Sequence, residues 1–154
     1  VPGIDPITLV SVYGVFDGPV LGTMYRMIAD LVPLFDSPYG ARVILGGDLN
    51  VTREDIDVHP RERKPDVIGQ RPEERELFRR LLGKHLVDVG RALDPDNAAL
   101  FTWWAPWRNL RQRNIGWRID YILASCPLAE RAKSCVVLTD VGTSDHAPVV
   151  MTIL

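Results

Sequence analysis

The distribution of apolar and polar positions divides the chain into short β-type runs and longer helical repeats. The run from Ile7 to Tyr13 is apolar and rich in β-branched residues, so it predicts a buried strand, which ends at Gly14 and the turn residues Asp17-Gly18-Pro19. Between Leu21 and about Leu34, apolar residues recur three and four positions apart, which predicts a helix. The apolar positions of this helix are Met24, Met27, Ile28, Leu31 and Leu34.

The middle of the chain combines a short strand, a long polar stretch and a second helix. Arg42 to Leu45 is apolar after its first residue, which predicts a strand in a sheet covered on both faces. The polar stretch from residue 51 to about residue 72 is long for a structureless loop, and such loops are often functional or mobile. Glu73 to Leu82 predicts a helix, because its acids come first, its arginines come late and Gly83 follows as a stop.

The last third of the chain predicts further strands. We expect strands at Leu100 to Trp104, Trp117 to Ser125, Ser134 to Leu138 and Pro148 to Leu154, a short apolar segment at His85 to Val89 and a helical turn at Pro127 to Arg131. Strands thus alternate with helices, which predicts an α/β fold. Because no repeat or linker interrupts this pattern, we treat residues 1–154 as part of a single domain.

Composition narrows the class of protein. The 154 residues are 46% hydrophobic and 25% charged, which is typical of a folded globular domain. The net charge of -2 argues against binding nucleic acid by overall charge, so such binding would need a local basic patch. No apolar run approaches the roughly 20 residues of a membrane span, and we expect no membrane partner. Two cysteines, Cys126 and Cys135, indicate buried or incidental thiols in a reducing compartment, the cytoplasm.

Three short motifs place a carboxylate beside an apolar run: Gly46-Gly47-Asp48-Leu49-Asn50, Trp117-Arg118-Ile119-Asp120-Tyr121 and Ser144-Asp145-His146-Ala147-Pro148. Distant loops that meet at one sheet edge commonly form a site for a hard cation and a phosphate. Asp48 and Asn50 lie two positions apart and would point to the same side of an extended segment. Such a pair can hold a water and accept its proton, although the same residues also form simple Asx turns.

The third motif combines a carboxylate with a neighbouring imidazole. The side chains of Asp145 and His146 should diverge unless the backbone is irregular, and Pro148 favours a bend. Asp145 could bind Mg²⁺ while His146 faces a phosphate. Asp120 could accept the other imidazole N–H and fix its tautomer. The competing interpretation of His146 alone is an ordinary surface histidine.

The segment from Leu100 to Tyr121 contains all four tryptophans and four arginines, with no acidic residue before Asp120. Aromatic and arginine side chains on one loop can stack on bases or sugars and contact phosphates. Alternatively, the tryptophans fill the core and arginine stems cover it, and we expect Trp103 or Trp104 to be core. The candidate substrate-binding residues are Trp103, Arg108, Arg111, Arg113 and Trp117.

Taken together, these motifs resemble the C-terminal half of the endonuclease/exonuclease/phosphatase superfamily, and most closely its exonuclease III type of apurinic/apyrimidinic endonucleases. The most specific part of the resemblance is Phe101-Thr102-Trp103-Trp104 with the segment from Asn114 to Tyr121. The resemblance implies the C-terminal half of a four-layer α/β sandwich, with a mixed, largely antiparallel sheet and flanking helices. This chain would supply most of one sheet.

The resemblance also implies Mg²⁺-dependent hydrolysis of a phosphodiester, with Mn²⁺ as a possible substitute, in DNA at abasic sites or 3' ends. Its implied catalytic residues are Tyr13, Asp48, Asn50, Asp120 and His146, and its implied metal ligands are Asp145 and Asp48. Tyr13 would contact the scissile phosphate, while Asp48 and Asn50 would hold the attacking water. Asp120 would support His146, which would stabilise charge on the phosphate. Trp103 and Trp117, with Ile119, would wall a pocket for an extruded abasic sugar.

Some features depart from that family. Its N-terminal Asn and its metal-binding Glu belong to the half that this chain lacks, and Glu54 lies in the wrong segment to replace the Glu. Phe16 stands where the family often has an Asn, which weakens the case for abasic DNA. Because the chain begins at Val1-Pro2-Gly3 without Met, we expect a C-terminal fragment. Its open sheet face would be covered by the missing half or by self-association, and alone it would bind metal weakly and hydrolyse slowly or not at all.

Two other functions are compatible with the sequence. A phosphoesterase of the same superfamily could act on a phospholipid, an inositol phosphate or a nucleotide, which the nearly neutral charge and Phe16 favour. A non-catalytic remnant could serve as a binding module. The tryptophan- and arginine-rich segment favours DNA.

Overall fold

The computed structural model describes residues 6–14, 21–83 and 85–154, without the side chains of residues 21–25 and 28. The turn predicted at Asp17-Gly18-Pro19 and the position of Phe16 lie outside the described residues, as do the side chains of Met24 and Ile28. The strands and helices in chain order are β1 Thr8–Tyr13, α1 Leu21–Phe35, β2 Val43–Asp48, α2 Pro72–Leu82, β3 Leu86–Asp88, α3 Val89–Leu93, β4 Asp120–Ser125, α4 Cys126–Ala129, β5 Ala132–Val137 and β6 Val149–Ile153.

The described strands form two sheets. The larger sheet has the order β1-β2-β4-β3, with β1 parallel to β2 and the other two pairs antiparallel. Strands β5 and β6 form a separate antiparallel pair. The α/β class and the mixed, largely antiparallel sheet are therefore confirmed, although the described chain supplies parts of two sheets rather than most of one.

Helices α1 and α2 cover one face of the larger sheet. The buried cluster on this face comprises Leu45, Leu49, Val51, Leu77, Phe78, Leu81, Leu86, Tyr121 and Leu123. Met27 and Leu31 of α1 pack against the cluster, as their helical spacing predicts. Gly83 ends α2 with a φ of 49°, and its N–H donates to the Arg79 carbonyl. Both predicted helices are thus confirmed.

The opposite face of the larger sheet is covered on one side only. Ala124 of β4 packs there with Met151 and Ile153 of β6, whereas Leu9 of the edge strand β1 is 74% exposed. An open groove of about 730 Å³ lies between this part of the sheet and β6. The prediction of a buried strand at Ile7 to Tyr13 is therefore wrong for the described chain, in which half-buried and exposed residues alternate along β1.

The polar stretch between β2 and α2 is folded. It contains two 3-10 turns, Asp55–Asp57 and Pro60–Glu62, and the Thr52 N–H donates to the Gly69 carbonyl at 2.8 Å. His59 begins the second turn, where its Nδ1 accepts a backbone N–H. The segment is therefore not structureless, because hydrogen bonds from polar side chains to nearby backbone stabilise it without a periodic apolar pattern. Its functional role stays a prediction.

The segment Leu100 to Trp104 is not a regular strand. Trp103 makes isolated bridges to Trp117 and to His146, and β4 begins only at Asp120. The predicted strand boundaries are therefore wrong here, but these bridges bring the second and third carboxylate motifs together. Helix α3 was not predicted, because its five residues are too few to show a period.

Arg118 is buried rather than part of an exposed basic surface. Its exposed fraction is 4%, and its guanidinium pairs with the carboxylates of Asp57 and Asp88. Arg91 also pairs with Asp57, at 2.7 Å. This ion-pair network ties the segment after β2 to β3, to α3 and to the residues that precede β4.

Cys126 and Cys135 are not joined by a disulfide. Cys126 is exposed because it begins the short surface helix α4, so of the two interpretations offered, a buried or an incidental thiol, it is incidental. Cys135 is half-buried, and burial raises the pKa of its thiol to about 11. None of the helices in the described part of the chain combines the length and the apolar character needed to cross a bilayer.

Candidate functional site

One end of the larger sheet brings Tyr13 and the first two carboxylate motifs together. In the sheet register, Tyr13 is paired with Asp48, and Asp48 is paired with Asp120. Residues paired across strands project to the same face, and here it is the face that is open beside β1. Tyr13 is 72% exposed, so its ring lies within reach of a ligand on this face.

Asp48 and Asn50 form a hydrogen-bonded unit. Asp48 Oδ1 accepts from the Asn50 backbone N–H at 2.8 Å, and Oδ2 accepts from Asn50 Nδ2 at 2.9 Å. The same Nδ2 donates to the Gly14 carbonyl at 2.6 Å, which ties the end of β1 to this turn. Asn50 has a φ of 52°, a left-handed conformation that asparagine tolerates. The Asx turn and the predicted functional pair are therefore one structure, in which the turn fixes the carboxylate.

The environment of Asp48 raises the pKa of its carboxyl above 3.8. Burial is the main cause, and the negative charge of Asp120 acts in the same direction, while the bonds from Asn50 and the nearby His146 oppose them. A carboxylate with a raised pKa accepts a proton from a bound water more readily than an ordinary aspartate does. A raised pKa is a property that a general base requires, and this role of Asp48 stays a prediction.

His146 is oriented by Asp120. Its Nδ1 lies 3.1 and 3.0 Å from the two carboxylate oxygens of Asp120. A proton on Nδ1 donated to this carboxylate leaves Nε2 as the nitrogen available to a ligand. The structure makes the contact that the sequence predicts between these two side chains, and their catalytic role stays a prediction.

Asp145 and His146 are neighbours in sequence but have different side-chain partners. Asp145 Oδ2 accepts from Trp103 Nε1 at 2.9 Å, and Ser144 Oγ lies 3.3 Å from Asp145 Oδ1. The bond from Trp103 is the main reason why the pKa of the Asp145 carboxyl falls below 3.8. Asp145 thus remains a carboxylate down to lower pH than Asp48 does.

Three side chains in the described part of the chain could together hold a metal ion. They are Asp48, Asp120 and His146, whose ligand atoms lie within 4.8 Å of one another. The two carboxylates repel each other, which contributes to the raised pKa of Asp48, and a bound divalent cation would offset that repulsion. The two carboxylates of this set suit Mg²⁺ and Mn²⁺, so Asp48 and Asp120 fit such an ion. Asp145 is outside this group, and its metal role stays a prediction.

The tryptophan segment divides between core and surface. Trp104 is 2% exposed and Trp103 is half-buried, which confirms that one of the two belongs to the core. Trp103 packs edge-to-face on Trp117, with 5.5 Å between ring centroids. The Trp103 ring also lies 6.5 Å from the His146 imidazole. An aromatic wall therefore flanks the candidate site.

The three arginines predicted to contact substrate differ in their surroundings. Arg108 and Arg113 are exposed, and Arg108 has a φ of 55°. The Arg111 guanidinium donates instead to main-chain carbonyls of residues 139–146. Substrate contact by Arg108 and Arg113 stays a prediction. Arg111 instead holds the loop of residues 139–146 in this structure.

Thr102 is a site residue that the sequence interpretation missed. It is buried, and its Oγ1 accepts from the Asp120 backbone N–H at 3.0 Å. Its carbonyl accepts from the Ala147 N–H at 2.8 Å. Thr102 therefore joins Asp120, the first residue of β4, to the segment that carries His146. Its position beside Trp103 is the only sequence signal that could have indicated it.

Comparison with known proteins places these motifs in one family. The family model described as the Endonuclease/Exonuclease/phosphatase family matches residues 11–146. This span contains Tyr13, the first two carboxylate motifs and the Ser144-Asp145-His146 part of the third. The chain belongs to this family.

Relatives within the endonuclease/exonuclease/phosphatase family are substantially longer. The exodeoxyribonuclease of Bacillus subtilis (strain 168) is 41% identical over 107 residues, which are 70% of this chain and 42% of that protein. The DNA repair nuclease APEX1 of Danio rerio is 39% identical over 110 residues, which are 71% of this chain and 35% of that protein. An AP endonuclease structure from Archaeoglobus fulgidus matches with a TM-score of 0.82 and 25% identity, over 94% of this chain and 60% of that chain.

The fold of the chain is therefore that of the family's AP endonucleases, and the chain spans less than half the length of the two curated relatives. The resemblance to the family implies a metal-binding Glu, so the position of Glu54 is relevant. Glu54 pairs with Arg53 at 3.2 Å and does not belong to the cluster around Asp48. The described residues thus contain no glutamate in that cluster.

Proposed function

We propose that this chain is part of a metal-dependent phosphodiesterase that cleaves DNA at abasic sites or 3' ends. The observation that supports this most is the meeting of Asp48, Asp120 and His146, with ligand atoms within 4.8 Å, on an open sheet face. The names of the relatives, an exodeoxyribonuclease and an AP endonuclease, support DNA as the substrate.

In this proposal, Asp48 holds the attacking water and accepts its proton. The raised pKa of the Asp48 carboxyl supports that role, because it brings the proton affinity closer to that of a base working near neutral pH. Asn50 keeps the carboxylate in place through its two hydrogen bonds. The amide oxygen of Asn50 is a second group that can bind the water.

The phosphate lies against Tyr13 and His146 in this proposal. The Tyr13 hydroxyl donates to a phosphate oxygen, and its exposed position supports such a contact. His146 donates through the nitrogen that does not face Asp120, and this hydrogen bond stabilises negative charge that builds up on the phosphate. The Asp120 carboxylate holds the imidazole ring in place.

The cation in this proposal is Mg²⁺, with Mn²⁺ as a substitute. Asp48 and Asp120 would hold it, and Asp145 is the further carboxylate that the family resemblance implies. When bound, the cation supplies positive charge that stabilises the transferring phosphoryl group.

DNA contacts in this proposal are local. Trp103 and Trp117 form an aromatic surface on which a sugar or base can pack. Arg108 and Arg113 are exposed on the neighbouring loop and can contact phosphates. Since the net charge of the chain is -2, affinity depends on this small basic area.

We also propose that the active form contains more polypeptide than this chain. Leu9 is 74% exposed beside the groove of about 730 Å³ that reaches Asp120 and His146. The remaining part of the domain, which the longer relatives contain, is the occupant we favour, and self-association of this chain is the alternative. Covering this face would also enclose the site.

The test is Mg²⁺-dependent nicking of a labelled duplex that carries one abasic site. This chain and a version extended by any upstream sequence its gene encodes are compared, each with an EDTA control. We expect nicking by the extended form and little or none by the chain alone. Steep salt dependence of duplex binding is expected as well.

A second candidate function is hydrolysis of another phosphoester, such as a phospholipid head group, an inositol phosphate or a nucleotide. The net charge of -2 favours it over DNA. If the extended form does not nick DNA but hydrolyses a small phosphodiester, this candidate replaces the first. If Asp48→Asn and His146→Ala change no activity of the complete protein, a non-catalytic binding module is the better description. That Cys126 and Cys135 form no disulfide with each other supports our proposal of a reducing compartment, the cytoplasm.

A further inference from the structure

The guanidinium of Arg111 bridges the two ends of one loop, residues 139–146. Its Nη2 donates to the carbonyls of Thr139 and Val141, at 3.0 and 2.6 Å. Its Nη1 donates to the Ser144 carbonyl at 2.5 Å and lies 3.5 Å from the His146 carbonyl. One nitrogen thus holds the start of the loop and the other holds the end that carries Asp145 and His146.

The position of Arg111 is itself fixed by the core. Its guanidinium carbon lies 4.8 Å from the centroid of the Trp104 ring, and Trp104 is 2% exposed. Trp104 Nε1 donates to Asn114 Oδ1 at 3.2 Å, which immobilises the indole further. The arginine therefore rests on a rigid aromatic surface while its two terminal nitrogens point at the loop.

The loop has few other supports at its tip. Residues 140–145 are exposed, and a side-chain carbon added at Gly142 would meet no atom within 4 Å. At its end, the Asp145 carbonyl accepts from the Trp104 N–H at 3.0 Å and the Ala147 N–H donates to Thr102. Arg111 joins the start of the loop to this anchored end.

We infer that Arg111 is a positioning residue, which holds His146 against Asp120 by clamping residues 139–146, and not a residue that contacts the substrate phosphate. Both terminal nitrogens of its guanidinium are already committed to loop carbonyls. A lysine could not replace it, because an ammonium group lacks the planar fork that reaches two groups of acceptors at once. The geometric part of this inference is independent of any activity, whereas its kinetic part rests on the proposed function.

The first experiment is NMR on this chain, with Arg111→Gln and Arg111→Lys. The chain has three histidines and four tryptophans, so the His146 ring and the Trp103 indole N–H can be assigned by single substitutions. We expect both variants to shift the His146 ring signals and to speed exchange of its Nδ1 proton. Arg79→Gln, on the exposed surface of α2, is the control and should leave these signals unchanged.

The second experiment measures kinetics and salt dependence on the form that hydrolyses DNA. Arg111→Gln and Arg111→Lys should each lower kcat roughly tenfold to hundredfold, the usual effect of losing a group that orients a site residue. KM and the salt dependence of DNA binding should change little. Arg113→Gln should instead reduce the slope of log Kd against log salt by about 1, as a phosphate contact does.

The inference is overturned if Arg111→Lys retains full kcat or if Arg111→Gln reduces the salt slope as Arg113→Gln does. Unchanged His146 signals in a folded Arg111→Gln variant overturn it as well. If circular dichroism shows that Arg111→Gln does not fold, Arg111→Lys decides. If no form hydrolyses DNA, the NMR result still decides the role of Arg111, so failure of the proposed function is recognised separately.

Discussion

At the scale of single residues, the Asx turn controls the proton affinity of the candidate base. Asn50 places two donors on the Asp48 carboxylate, and both oppose the rise in its pKa that burial causes. Asn50→Gly removes the Nδ2 donor but keeps the backbone N–H, at a φ of 52° that glycine adopts easily. We expect the pKa of the Asp48 carboxyl to rise further, as measured by carboxyl ¹³C NMR titration of this chain.

The Asn50→Gly substitution should also alter how the free energy of unfolding depends on pH. Because the folded-state pKa of Asp48 lies above 3.8, its contribution to the free energy of unfolding is fully present below the unfolded-state pKa. That contribution is lost as pH rises through the folded-state pKa, and Asn50→Gly should make the loss larger. Asn97→Gly is the matched control, since it removes an exposed bond from an asparagine amide to Asp94. An unchanged or lower pKa of Asp48 in Asn50→Gly would contradict this account.

A second prediction at this scale separates two candidate metal ligands. Asp48 belongs to the cluster with Asp120 and His146, while the Asp145 carboxylate is bonded to Trp103. We expect Asp48→Asn to weaken Mn²⁺ binding by at least about tenfold, and Asp145→Asn to weaken it less. Paramagnetic broadening of assigned NMR signals measures even weak binding. If Asp145→Asn proves the more damaging change, Asp145 is the ligand and the family resemblance is the better guide.

Sequence predicts site residues that lie in a recognisable motif. It does not predict residues whose role depends on a contact that forms only in the folded chain. Asp48, Asp120 and His146 stand in recognisable motifs, and the structure brings them together. Arg111 has the same composition around it as Arg108 and Arg113, yet it alone of the three turns to the loop. Its carbonyl partners lie 28 to 35 positions away in sequence, so no local pattern can indicate which arginine turns inward.

At the scale of elements, the pairing of β1 with β2 depends on a glycine. Gly47 has a φ of 150°, and a side-chain carbon there would lie 1.9 Å from the Val12 carbonyl oxygen. Gly47→Ala should therefore destabilise the protein by roughly 1–3 kcal/mol or more, the cost of strained backbone. Gly46→Ala is the matched control, because its nearest atom would be a Tyr121 oxygen at 3.7 Å, an ordinary contact.

Thermal or urea unfolding of the two glycine variants measures this difference. Equal loss of stability in both would mean that β1 and β2 separate without cost at Gly47. Because Tyr13 and Asp48 are paired next to this position, Gly47→Ala should also move Tyr13 relative to Asp48.

The buried ion pairs give a further prediction for the elements they join. Arg118 pairs with Asp57 and Asp88, whose side chains are 1% and 2% exposed. Arg118→Met leaves two buried carboxylates with fewer partners, so we expect a loss of about 3–5 kcal/mol in the free energy of unfolding. Arg79→Met, at an exposed ion pair of α2, should stay within about 0.5 kcal/mol. A loss below about 1 kcal/mol in Arg118→Met would show that water reaches Asp57 and Asp88.

Helices with a periodic apolar pattern over many residues were predictable, and segments held by single contacts were not. Helices α1 and α2 show a clear apolar stripe or end signals in sequence, and both are present. The segment Leu100 to Trp104 has a β-type composition but pairs through Trp103 alone. Composition indicates that a segment is apolar and favours an extended backbone. A β-strand also requires a neighbouring strand that pairs with it in register.

At the scale of the whole molecule, the face that bears the candidate site is also the face that the described chain leaves partly uncovered. Ile7 to Tyr13 has the composition of a strand buried on both faces, yet Leu9 is 74% exposed. This disagreement supports our proposal that further polypeptide covers this face in the active form. Under that proposal, sequence patterns within this chain cannot reveal what covers Leu9.

The last prediction follows from that exposed leucine. In the version extended upstream, Leu9→Gln should lower the free energy of unfolding by about 1.5–3 kcal/mol, the value of burying a leucine side chain. Leu154→Gln is the matched control, since Leu154 is 73% exposed but lies at the end of the chain after β6. In this chain alone, where Leu9 is exposed, Leu9→Gln should leave monomer stability nearly unchanged and should reduce self-association in sedimentation experiments. Equal effects of the two substitutions in the extended form would mean that the face beside Leu9 stays open. The groove beside Asp120 and His146 would then be available to bind substrate and would not be filled by the rest of the domain.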